Sequence, residues 1–175
     1  MTHEQFWKII ADTCGSDPNS SDEWDTKLTD ALAILPADEI VEWNHIFDEL
    51  AQQAYRTDLW AAAYLINGGA SDDGFYYFRC WLIGMGQTIY HNAIADPDNL
   101  ADVASPAWFE EGIDAEAEIY GAAHRAWMRV TGNDYDAECP ARDDSAELVG
   151  EAWNFDDHLE MQKHLPRLAA LYEEQ

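Results

Sequence analysis

Positive charge is what this chain has least of. Nine lysines and arginines stand against 35 aspartates and glutamates in 175 residues, a formal net charge of −26. So negative a chain repels nucleic-acid phosphate and anionic lipid, so neither direct nucleic-acid binding nor a membrane partner is expected. Cysteine is also scarce. Cys14, Cys80 and Cys139 are odd in number and far apart. That number and spacing argue against a disulfide framework or a paired-thiol metal knuckle, and they fit a reducing cytoplasm. No apolar run reaches membrane-spanning length. Met1-Thr2-His3-Glu4-Gln5 lacks the basic region and apolar run of a signal peptide. The histidines show no HxxxH, HExxH or paired ExxH spacing, so zinc and di-iron sites are disfavoured and no cofactor is expected. Alternating strand patterns, internal repeats and low-complexity tracts are absent as well.

What is there suffices for a core. Hydrophobic residues make up 47% of the chain and it holds 8 Trp, so it is no disordered tail. The acidic excess then has three readings: solubility in a salty or crowded cytoplasm, a protein partner with a basic surface, or mimicry of DNA. A solvated face is the simplest of these.

Helical periodicity runs through the chain. Thr2 with Gln5 forms a capping box ahead of Phe6, Trp7 and Ile10, and Ser20 with Glu23 forms a second. Leu28, Ala31, Leu32 and Leu35 share one face. Pro36 suits the first turn of the next helix, which carries Ile40, Trp43, Phe47, Leu50, Ala51 and Ala54. Thr57 is the expected cap of the helix after it. Ser105-Pro106 opens a long helix expected over 107–130, with Phe109, Ile113, Glu116, Tyr120, Ala123, His124 and Trp127 on its inner face. Residues 131–145 turn polar and are expected to be a mobile acidic loop within one domain, 1–175. Asp156 caps a short helix to His164, and Pro166 starts the last one. The fold class expected is all-α: a single-domain irregular helical bundle of about seven or eight helices.

The stretch from Asp58 to Gly86 is the most apolar and aromatic part of the chain. Leu59, Ala62, Ala63 and Ile66 line one helix, which Asn67-Gly68-Gly69 closes. Ser71 and Asp72 cap the next. On that helix Phe75, Phe78, Leu82 and Met85 form one stripe; Asp72, Tyr76, Arg79, Ile83 and Gly86 form another. Gly84 and Gly86 make a bend plausible before Ile89 and Tyr90. An arginine inside so aromatic a helix needs partners, because an unpaired buried charge is costly. Asp58, Asp72, Asp73 and Glu116 are the candidates, either as a structural ion pair or as part of a polar pocket.

Glu116 interrupts its apolar face, with Tyr120 and His124 at helical spacing. It could act as an acid or base if burial raises its pKa, or serve as the buried partner of Arg79 or Arg56. His124 alone reads as a hydrogen-bonded core residue. Glu110, Asp114 and Glu118 share another face that could hold a hard cation but suits water equally. Ser71 lacks a nucleophile-elbow context, and Cys80 reads as core.

Phe6-Trp7, Ala54-Tyr55, Asp58-Leu59-Trp60, Asn67-Gly68-Gly69, Ser71-Asp72-Asp73-Gly74-Phe75 and Phe78-Arg79-Cys80-Trp81-Leu82-Ile83 together resemble a bacterial family, the domain of unknown function numbered 4240. Trp153-Asn154-Phe155-Asp156-Asp157 and Leu165-Pro166-Arg167-Leu168 are similar too. The resemblance implies a single helical domain in bacterial cytoplasm, without an established activity and without catalytic residues to carry over.

Three functions follow as expectations. The first is a binding or regulatory module with a polar pocket at the central helix pair. The second is a hydrolase or lyase using Glu116 or Asp73 as base and Arg79 to hold an anion. The third is a DNA mimic that blocks a basic partner. The composition leaves the oligomeric state open.

Overall fold

Apolar residues at three- and four-residue spacing set the helices, and the polar residues between them set where each one stops. The computed structural model describes residues 1–14, 23–105, 108–109, 112–113, 119–139 and 147–173. Helix α1 spans His3–Thr13, and its capping box is complete: Thr2 Oγ1 accepts from Gln5 N while Thr2 N donates to Gln5 Oε1. Helix α2 (Trp24–Leu32) follows Glu23, which makes no side-chain cap bond; Ser20, its expected partner in a box, lies outside the described residues. Pro36 sits just ahead of α3 (Ala37–Gln53) rather than in its first turn. Helix α4 (Thr57–Asn67) has Arg56 at its N-cap, so Thr57 is its first residue and not its cap.

The central pair forms as its residues dictate. Gly68 takes the left-handed conformation (φ 64°) that closes α4. Ser71 Oγ then accepts from Gly74 N at 3.1 Å to open α5 (Asp72–Gly84). Gly86 (φ 93°) ends the run, and α6 (Gln87–Ala95) starts anew, so the expected bend is a break between two helices. Gly84 serves a second purpose, since a Cβ there would sit 2.5 Å from the Trp24 ring. Helix α5 meets α2 at that point because position 84 has no side chain.

A 3-10 turn at Pro97–Asp102 follows. The long helix expected over 107–130 does not form. Gly112 has φ 77°, outside helical range, and the adjoining Ile113 N donates to Asn67 Oδ1 at 2.9 Å instead of to a carbonyl one turn back. The next described residues form a 3-10 turn at Ile119–Gly121 and then α7 (Ala122–Thr131). Within the stretch expected to be a loop, Tyr135–Glu138 forms a single turn, α8, capped by Asp134; residues 140–146 lie outside the described residues. Helix α9 (His158–His164) is capped by Asp157 rather than Asp156, and α10 (Pro166–Glu173) closes the chain.

The architecture is all-α. Among the described residues there are ten α-helical segments and no strand, only an isolated bridge between Arg56 and Val149. Buried side chains from α1 to α10 join in one core cluster, with Phe6 stacked on Trp43 and Trp43 on Phe47. Among the described residues no helix is long and apolar enough to cross a membrane.

Candidate functional site

Helices α3 and α5 each carry a polar stripe beside their buried one. On α3 it runs Asn44, Asp48, Gln52, then Tyr55 just past the end; on α5 it runs Asp72, Tyr76, Arg79. Spacings of three and four residues keep each set on one face. The two stripes face a common cleft of about 510 Å³. Tyr120 and His124 close a third side, and Tyr135, Asp136 and Cys139 around α8 close the fourth.

Arg79 is half-buried in this cleft. Its guanidinium carbon lies 4.8 Å from the Tyr55 ring centroid, 5.1 Å from Phe75 and 5.3 Å from Tyr76. Nη1 donates to the Ala51 carbonyl at 2.7 Å, which ties α5 to α3. Nε is buried without a hydrogen-bond partner. Burial pulls the guanidinium below its usual pKa, against the opposing pull of Cys80, Tyr76, Tyr55 and Asp72. Of the expected carboxylate partners, Asp58, Asp72 and Asp73 form no ion pair with Arg79, and Glu116 lies outside the described residues. Among the described residues no carboxylate makes an ion pair with Arg79. Ring faces and one carbonyl make the close contacts, with Asp72 adding a pull from beyond ion-pair distance.

Arg79 stands apart from the other bases. Lys8 pairs with Asp12, Lys27 with Glu23, Arg56 with Asp58, Arg125 with Asp25, Arg129 with Asp30, Lys163 with Glu160 and Arg167 with Asp102. Among the described residues Arg79 is therefore the one lysine or arginine without an ion pair, in a chain with nearly four acids per base.

His124 is not a core residue. It is partly exposed, stacks on the Tyr135 ring with centroids 4.3 Å apart, and places Nδ1 3.7 Å from Asp136 Oδ1. The stack holds α8 against α7. Burial, Cys139 and Asp48 push Tyr135 up to about 12. Burial pushes Tyr76 up further, with Cys80 and Asp48 adding to it. Both phenols are thus neutral and able to donate near pH 7. The Cys80 thiol, pushed up to about 12 by burial, is protonated there and is no nucleophile.

Of the residues singled out from sequence, Asp72, Arg79, Tyr120 and His124 line the cleft. Asp58 does not; it binds Arg56 Nε at 3.2 Å and Nη2 at 3.2 Å, so Arg56 needs no glutamate. Asp73 is exposed and is not among the lining residues. Glu116 lies outside the described residues, as do Glu110, Asp114 and Glu118. Among the described residues no three His, Cys, Asp or Glu side chains gather closely enough to hold a metal ion. Asn44, Asp48, Tyr55, Tyr135 and Asp136 were missed. The signal for the first three was present, as residues at four- and seven-residue spacing beside the apolar stripe of α3.

Residues 1–129 match the sequence model of a family described as protein of unknown function (DUF4240), and the chain belongs to that family. Neither the curated proteins nor the solved structures contain a match to it.

Proposed function

We propose that this DUF4240 protein is a binding or regulatory module whose cleft between α3, α5, α7 and α8 holds a small polar ligand. Its acidic surface then suits a protein partner with a basic one. The observation that carries this reading is Arg79: a half-buried cation at a cleft which, among the described residues, has no carboxylate partner while seven other bases have one. An incompletely compensated buried charge costs stability, and a ligand that supplies the missing acceptor recovers it. Binding suits the geometry better than catalysis. Asp73 does not line the cleft, and the phenols and buried thiol are held in their protonated forms.

Native mass spectrometry of gently purified protein tests this. The wild type should retain a small bound mass that is lost in Arg79→Met, with both proteins equally helical by circular dichroism. An identical mass in the two, or none in either, counts against the cleft as a binding site.

A further inference from the structure

The cleft carries both signs of charge in a small volume. Arg79 supplies the positive group, and Asp48, Asp72 and Asp136 the negative ones. A ligand with only a negative charge would meet Arg79 but also three carboxylates, in a chain of net charge −26. A ligand with only a positive charge would suit the carboxylates but sit beside Arg79, whose own charge would stay uncompensated. Like charges a few ångströms apart cost most where water is scarce. One class of small molecule satisfies both sets at once.

We propose that the cleft receives a free α-amino acid, its carboxylate on Arg79 and its ammonium among Asp48, Asp72 and Asp136. This rests on the binding-module reading. Three rings pack around the guanidinium of Arg79, and stacked arginine donates in its own plane, which is the geometry a carboxylate accepts. Ala51 takes one of the five N–H groups and no other hydrogen bond is made by this side chain among the described residues. Tyr76, Tyr120 and Tyr135 line the same cleft, so aromatic surface lies beside the charged groups for an apolar side chain. The volume, about 510 Å³, falls inside the roughly 300–1,000 Å³ typical of small-molecule sites.

Calorimetric titration of the wild type with each of the twenty protein amino acids comes first. The best binder is then compared with its N-acetyl derivative, which lacks the ammonium, and with its carboxamide, which lacks the carboxylate. Each derivative should bind at least ten-fold more weakly. In Arg79→Met the free acid and the carboxamide should bind alike, whereas Arg79→Lys should keep part of the preference. In Asp72→Asn or Asp136→Asn the penalty for N-acetylation should shrink. A carboxamide or an N-acetyl form that binds the wild type as well as the free amino acid overturns the proposal. So does the absence of binding by all twenty at millimolar concentration. Should the mass spectra show an Arg79-dependent ligand while the titrations fail, only the ligand class is wrong; should both fail, the module reading falls too.

Discussion

Cys80 shows what burial does to a single group in this protein. It lies on α5 next to Arg79, fully buried. Its thiol is pushed from 9.0 to about 12, chiefly by loss of water, with Tyr76 and Arg79 pulling the other way. Between those values the unfolded chain has given up this proton and the folded chain has kept it. Stability from this group is therefore complete below pH 9 and is lost as the pH rises through about 12. Over that window the slope is about −1.4 kcal/mol per pH unit for one group. Urea unfolding of wild type and Cys80→Ala at pH 8 to 11 measures it. The variant will be less stable throughout, because it leaves a cavity, but its alkaline decline should be shallower. Parallel declines would show that Cys80 does not titrate across unfolding. Arg79, one residue away, sits under the same rule with the opposite sign: burial favours losing its proton. It keeps its place because the Tyr55, Phe75 and Tyr76 rings and the Ala51 carbonyl stand in for water.

At the scale of elements, the joins carry information that the helices do not. Helix α10 begins at Pro166, and the residue before it is Leu165, which has no oxygen to cap it. The cap comes from the 3-10 turn at Pro97–Asp102. Asp98, 5% exposed, accepts from Arg167 N at 3.0 Å and from Leu168 N at 2.9 Å through Oδ1. A carboxylate on two free N–H groups at the positive end of a helix holds that helix to a turn 69 residues earlier. Asp98→Ala leaves the buried Leu168 N–H and the part-buried Arg167 N–H without their acceptor, at about 1–3 kcal/mol for a fully buried donor and less for the other. A loss of roughly 3 kcal/mol is expected, against roughly 1 kcal/mol for Asp98→Asn, which keeps an oxygen. Equal stability of the two variants in urea would show that the contact does not anchor α10. The same scale explains what could be read in advance. The Asp72–Tyr76–Arg79 stripe was legible because all three residues lie on one helix at fixed spacing. The Thr2 box, the Gly68 stop and the Ser71 cap were legible because each is local. The Ala51 acceptor of Arg79, 28 residues away, and the distant cap by Asp98 depend on how helices dock, which spacing does not encode. The wall formed by α8 hid in a polar stretch because a single helical turn leaves too short a pattern.

Across the whole molecule, the question is whether the charge excess or the ion pairs govern how the protein responds to salt. Seven lysine or arginine pairs with carboxylates are present among the described residues, and most involve at least one well-exposed side chain. Exposed pairs contribute about 0–1 kcal/mol each, and salt weakens them. Against them stand 26 uncompensated negative charges on one small chain, which repel one another most in the compact state. The screening length falls from about 30 Å at 0.01 M salt to about 10 Å at 0.1 M. That change cancels most repulsion between distant charges, while close pairs, a few ångströms apart, lose far less. Repulsion is therefore the larger salt-sensitive quantity, and the folded state should gain from added sodium chloride. A gain on the order of 1 kcal/mol corresponds to about 2–4 °C in Tm for a chain of this size. Thermal unfolding at 0.01, 0.1 and 0.5 M sodium chloride at pH 7 reads it directly. The steepest rise should fall between the first two concentrations, where the screening length crosses the dimensions of the fold. A Tm that falls steadily with salt would mean that the ion pairs, not the unbalanced acids, dominate the electrostatics of the folded chain.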